Sequence, residues 1–163
     1  MSRPTTTPAT TPATTTPASR VRVFVSYDIE HDGDLIDLLE EQATAPTSGF
    51  EISGRSTSQS ATEPHRDKLR EAIREVEQVI VICGEHTADA YPVSVELQVA
   101  QEEQRPYFLL WGRRQPMCSK PTTAKPADTM FSWTPEIIAA QLFALRRRED
   151  TDEQAAGLRR PRS

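Results

Sequence analysis

The stretch from Val79 to Gly112 places the strongest constraint on how this 163-residue chain folds. It consists of an apolar run, a polar loop, a short helical pattern that contains Glu96, and a second apolar run. Two apolar runs joined by a helix of about three turns form a β-α-β unit, whose first strand ends at a ligand crevice. The stretch therefore predicts two parallel strands with Glu96 close to a binding site.

The rest of the chain continues this alternation of strands and helices. Strands are predicted at Val21–Tyr27, at Phe50 and Ile52, at Val79–Cys83 and at Pro106–Trp111, with a weak fifth strand around Met130–Trp133. Helices are predicted from Asp32 or Gly33 to Gln42, from Pro64 to Val76, from Pro92 through Ala100, and from Thr134 or Pro135 through Leu145. This order favours an α/β fold of the flavodoxin-like, doubly wound type, with a mostly parallel sheet of four or five strands and helices on both faces.

The two ends of the chain differ in composition from its middle. Residues 1–19 are almost entirely Thr, Pro and Ala, and such a segment cannot bury enough apolar surface to offset the entropy of ordering. We expect a disordered tail over residues 1–19, one domain over residues 20–149, and a second disordered tail over residues 150–163.

Charge and cysteine content narrow the classes of partner. The formal net charge of -5 disfavours nucleic acid and anionic membrane, which attract basic surfaces. No run approaches the roughly 20 apolar residues of a membrane span and the amino terminus lacks a secretory pattern, so a cytoplasmic location is expected.

Cys83 and Cys118 have no zinc-ligand spacing and are expected as free thiols. Because the three histidines also lack ligand spacing, no metal is expected.

Familiar catalytic motifs are missing, so the site is sought from topology. The chain has no GxGxxG turn, phosphate-binding P-loop or GxSxG elbow. In a parallel sheet, ligands bind outside the carboxyl ends of the strands, which here means the loops Tyr27–Gly33, Gly54–Glu63 and Gly84–Tyr91. On a helical projection Glu96 falls inside or beside the apolar arc rather than on the polar face.

Three segments together resemble the Toll/interleukin-1 receptor (TIR) domain. They are FVSY, then DKLREAIREVEQVIVICGEHT, then YPVSVELQVAQEEQRPYFLLW, and they cover about residues 20–111. The similarity is strongest to bacterial TIR-like proteins of Thoeris-type antiphage defence. It implies a five-stranded flavodoxin-like domain and, in the catalytic branch, cleavage of NAD at the nicotinamide-ribose bond.

The resemblance also implies roles for individual residues. Glu96 takes the place of the glutamate that carries the reaction. Ser26, Tyr27 and Asp28 match the end of the family's first strand, and they are expected to bind the nucleotide. The same role is expected for Arg55 and Ser56, which begin the loop after the second strand, and for Tyr91, which stands near the position where many members carry tryptophan.

The resemblance further implies which molecules the chain meets. NAD would be the substrate, and no cofactor is needed. Self-association, or an effector protein that responds to an ADP-ribose-type product, is expected as well.

One carboxylate suffices for the implied chemistry. A glycosidase usually protonates its leaving oxygen with a second carboxyl group, but nicotinamide leaves NAD from a cationic nitrogen. Two other functions stay open. One is a non-enzymatic TIR-like module that binds a protein or a nucleotide, and the other is an enzyme similar to nucleoside deoxyribosyltransferases.

Overall fold

The computed structural model of the chain describes residues 20–57, 62–113, 117–142 and 144. Its strands are β1 (Val21–Ser26), β2 (Phe50–Arg55), β3 (Gln78–Cys83), β4 (Tyr107–Trp111) and β5 (Met130–Phe131). All four pairings are parallel, and the strand order is β2-β1-β3-β4-β5. The order reverses between β1 and β3, which creates a switch point at the carboxyl ends of these two strands. The predicted flavodoxin-like, doubly wound sheet is confirmed.

Helices cover both faces of this sheet. They are α1 (Gly33–Ala43), α2 (Glu63–Arg74) and α3 (Tyr91–Glu102), with a 3-10 turn at Thr87–Asp89 and a further helical segment over residues 135–142. Within the described part of the chain, no helix is long and apolar enough to cross a membrane. Both predicted tails, and Leu145 of the predicted last helix, lie outside the described residues.

The burial pattern of the strands explains why two helical layers form. All six residues of β3 are buried, as expected for a central parallel strand covered on both sides. In β1, Val23 and Val25 pack with α1 and residues 135–142, whereas Phe24 packs with α2 and α3. Side chains of a strand alternate between its two faces, so each central strand contributes to both cores.

The second strand is longer than predicted. Gly54 and Arg55 were expected in a loop, but β2 runs through Arg55, and its register with β1 shifts between Val23 and Phe24. A Cβ atom at Gly54 would lie 2.9 Å from the Phe24 ring, so glycine here allows the strand to pass close to that ring. The loop therefore begins at Ser56, and Arg55 is a strand residue.

A buried acidic residue joins the carboxyl ends of β3 and β4 to the start of α1. Asp32 occupies the N-cap position, but its side chain makes no capping hydrogen bond. Its Oδ1 atom instead accepts a 3.0 Å hydrogen bond from Nη2 of Arg113, and its carboxylate lies against Gly84. Burial raises the pKa of Asp32, and the hydrogen bond from Arg113 opposes that shift.

We expect Gly84→Ala to destabilise the fold by about 1–3 kcal/mol, because overpacking forces neighbouring groups to move. The added Cβ would lie 2.3 Å from Asp32 Oδ2, while Arg113 holds the other oxygen of the carboxylate in place. Urea unfolding measures the effect. Gly33→Ala is the matched control, since nothing lies within 4 Å of its Cβ, and it should leave the free energy of unfolding unchanged or raise it by up to about 1 kcal/mol. Equal stabilities of the two variants would contradict this packing.

Candidate active site at the carboxyl edge of the sheet

Glu96 lies completely buried in the middle of α3. Its Oε1 atom accepts two hydrogen bonds, from Ser26 Oγ at 2.7 Å and from Ser56 Oγ at 2.5 Å. Ser26 ends β1 and Ser56 follows β2, so the ends of two adjacent strands meet one carboxylate of the helix. The prediction that Glu96 belongs with the apolar side of its helix is confirmed.

Backbone hydrogen bonds fix the position of Ser56. Its N–H donates to the carbonyl of Val25 at 3.0 Å, which continues the β1–β2 pairing beyond the last strand residue. The Tyr27 N–H in turn donates to Ser56 Oγ at 2.9 Å. The Ser56 hydroxyl therefore accepts from the backbone and donates to Glu96, so both its position and its orientation are determined.

An acidic cleft of about 520 Å³ opens at the same edge of the sheet. It is formed by the loop after β1, the 3-10 turn and the first turn of α3, and is lined by Tyr27, Asp28, Ile29, Glu30, His31, His86, Asp89, Ala90, Tyr91, Pro92 and Val93. Three of these residues carry carboxylates, and none is Lys or Arg. The Tyr91 side chain is well exposed, at 64%. The cleft suits a cationic or neutral aromatic group better than an anion.

Two histidines and an aspartate form one wall of this acidic cleft. Asp28 Oδ2 lies 2.7 Å from Nδ1 of His31, and Asp28 Oδ1 accepts a 3.0 Å hydrogen bond from the backbone of Glu30. The His31 ring stacks on His86 with ring centroids 4.0 Å apart. The hydrogen bond to Asp28 is the main cause that raises the pKa of His31, and desolvation opposes it.

Tyr27 connects the acidic cleft with Glu96. It lines the cleft, it follows Ser26 directly in the chain, and its backbone holds Ser56. Burial is the largest cause that raises the pKa of Tyr27. Arg55 lowers it, and the carboxylates of Glu40 and Glu96 raise it. Glu96 thus acts electrostatically on the cleft wall although it does not line the cleft itself.

The structure separates the predicted site residues into three groups. Tyr27, Asp28 and Tyr91 line the acidic cleft. Ser26 and Ser56 surround the Glu96 carboxylate and do not line the cleft. Arg55 lies outside both groups, because its guanidinium pairs with Glu40 of α1 at the surface.

Sequence reasoning missed several residues of the cleft. His31, His86, Glu30 and Asp89 were not singled out, although all four lie in loops predicted to form the site. The signal that points to them is topological, since the loops after β1 and β3 meet at the switch point. Among the described residues, no group of three or more His, Cys, Asp or Glu is arranged to hold a metal ion.

The fold and the buried glutamate define a class of protein. A parallel sheet in the order β2-β1-β3-β4-β5, with a buried glutamate of α3 at the carboxyl edge of β1, defines a flavodoxin-like α/β domain with an acidic site at its switch point. The model of the family described as Thoeris protein ThsB, TIR-like domain, matches residues 24–113 of the chain. That match covers more than half of the 163 residues, and the chain belongs to this family. No curated protein matches the chain.

We expect Asp28→Asn to lower the pKa of His31 toward the ordinary value of 6.5, because the substitution removes the charge of its partner. A raised histidine pKa in the folded state adds stability that is fully present below pH 6.5 and is lost as the pH rises through the folded pKa. A pH titration of the imidazole resonances by NMR measures the shift. His65 on α2 is an internal control, and an unchanged His31 midpoint in the variant would contradict the pairing.

Proposed function

We propose that this domain cleaves the nicotinamide-ribose bond of NAD, with Glu96 as the catalytic carboxylate. The observation that carries the proposal is the placement of Glu96. It is a completely buried acid held by hydroxyls from two strand ends, beside an acidic cleft at the switch point of the sheet. Membership of a TIR-like family supports the same conclusion.

The reaction needs few protein groups. When the glycosidic bond breaks, its electron pair goes to the pyridinium nitrogen and neutral nicotinamide leaves, so the leaving group needs no proton. Positive charge then develops on the ribose, and a carboxylate in a water-poor environment stabilises it strongly. Attack by water yields ADP-ribose and releases one proton, whereas attack by a nitrogen of the adenine ring yields a cyclic product.

The acidic cleft would hold the nicotinamide end of the substrate. Its lining carries Asp28, Glu30 and Asp89 and no Lys or Arg, which favours the cationic ring over the pyrophosphate. Tyr91 presents an exposed aromatic ring on which a planar heterocycle can stack.

A second candidate function is a TIR-like module that binds a protein or a nucleotide without catalysis. The observation that favours it is the burial of Glu96, which has no exposed surface and does not line the cleft. In the enzyme, substrate binding would have to shift the groups that separate Glu96 from the acidic cleft. In the non-enzymatic module, Glu96 would only stabilise the fold by joining α3 to the ends of β1 and β2.

The family also supplies a biological setting for the proposal. We place the domain in the cytoplasm, in antiphage defence of the Thoeris type, with NAD as its substrate. Its ADP-ribose-type product would be read by an effector protein, and self-association would be part of activation.

We expect Glu96→Gln to reduce release of nicotinamide from NAD by at least about 100-fold, because the neutral amide stabilises a developing cation poorly. Mass spectrometry of the nucleotides after incubation with NAD measures the loss, with the protein tested both dilute and crowded. Glu102→Gln is the matched control, since Glu102 lies on the same helix and pairs with Arg70 at the surface. Absence of turnover by the wild-type protein in both states would favour the non-enzymatic module.

We expect Tyr91→Ala to raise the KM for NAD by up to about tenfold, because an aromatic stacking contact is worth about 0.5–1.5 kcal/mol. Steady-state kinetics measure the change. Leu38→Ala removes another exposed apolar side chain, at 52%, from α1 and away from the acidic cleft, and should leave KM unchanged. Equal effects of the two substitutions would show that Tyr91 does not contact the substrate.

A further inference from the structure

We infer that Ser26 and Ser56 are positioning residues that act through Glu96, and that they do not bind the nucleotide. The inference rests on the proposed function and changes the role that the family resemblance implies for the two serines. Both residues are buried, neither lines the acidic cleft, and both hydroxyls donate to the same oxygen of Glu96.

The hydrogen-bonding capacity of the two hydroxyls argues against a hydrogen bond donated from either serine to the substrate. A serine hydroxyl has one proton to donate. Ser26 and Ser56 both donate that proton to Glu96 Oε1. Ser56 Oγ also accepts from the Tyr27 N–H, so it already uses one acceptor position. Neither serine therefore has a proton left for a ribose hydroxyl or a phosphate oxygen.

The same bonds have a clear benefit for the carboxylate. Burying a charged group is costly unless hydrogen bonds compensate, and bonds to an ionised acceptor are stronger than neutral ones. The donors come from the ends of two hydrogen-bonded strands, so they also fix where the carboxylate points relative to the sheet edge. A displacement of about 1 Å from the productive position can cost about 100-fold in rate. The serines thus stabilise the carboxylate of Glu96 and determine its orientation.

Kinetics of alanine variants distinguish positioning from binding. Ser26→Ala and Ser56→Ala should each lower kcat for NAD cleavage by about 10- to 100-fold and change KM by less than about twofold. Ser56→Thr, which keeps the hydroxyl, should recover most of the lost kcat. Ser94→Ala is the matched control. Ser94 is likewise buried, but it lies on α3 and hydrogen-bonds to Thr122, so the variant should retain wild-type kcat. A rise in KM at constant kcat would overturn the inference.

Thermal unfolding provides a test that does not depend on turnover. Ser26→Ala should lower the Tm by about 5 °C in the wild-type background, since it leaves a buried carboxylate without one donor. In a Glu96→Leu background the same substitution should cost less than half as much, because no carboxylate remains to be satisfied. Equal costs in both backgrounds would overturn the inference.

The kinetic and thermal tests distinguish failure of the proposed function from failure of the inference about the serines. A wild-type protein that releases no nicotinamide would overturn the proposed function while the thermal coupling between Ser26 and Glu96 persists. An active enzyme without that coupling, whose serine variants raise KM, would overturn only the inference about the serines.

Discussion

The interaction on which the site depends is the pair of hydroxyl bonds that Ser26 and Ser56 make to the buried carboxylate of Glu96. These bonds require that the ends of β1 and β2 lie side by side in one register. Val23 pairs with Ile52 and Phe24 pairs with Gly54, so one residue of β2 is passed over. Without this shift, the residue beside Ser26 would be Arg55 rather than Ser56. Because a one-residue slip reverses the face of every later side chain, the irregularity determines which group reaches Glu96.

A second buried acid, Asp32, stabilises the loop after β1. Arg113 donates to the Asp32 carboxylate, to the Asp34 carboxylate and to the carbonyl of His31. It follows the end of β4, so it ties the loop after β1 to the carboxyl end of β4. One oxygen of each carboxylate accepts hydrogen bonds from different groups, serine hydroxyls for Glu96 and a guanidinium for Asp32. Burial of a carboxylate therefore does not by itself mark catalysis, and the role proposed for Glu96 depends on its position at the switch point.

Local sequence patterns were sufficient to predict most helices and strands but not the side-chain contacts between them. The strand β3 and the face of α3 on which Glu96 lies both follow from the periodicity of apolar residues. That periodicity depends only on residues close together in the chain. The continuation of β2 through Gly54 depends on the Phe24 ring, and the partner of Asp32 lies 81 residues away. Such contacts are set by the assembled sheet, and no local pattern reports them. Helix capping shows the same limit, since Asp32 has the right residue type and position but turns its carboxylate to Arg113.

The proposed reaction assigns different tasks to the two groups of acids at the sheet edge. Before cleavage, the positive charge of NAD lies on the nicotinamide ring, where Asp28, Glu30 and Asp89 of the acidic cleft would stabilise it. In the transition state that charge moves to the ribose, and only a group that stabilises the new location more than the old one accelerates the reaction. In this proposal the carboxylates of the cleft contribute to binding. A stronger interaction between them and the cationic ring would slow the movement of charge away from the ring. Glu96 does not line the cleft and is oriented by two serines. It is the proposed group whose interaction with the positive charge on the ribose can become stronger as the bond breaks.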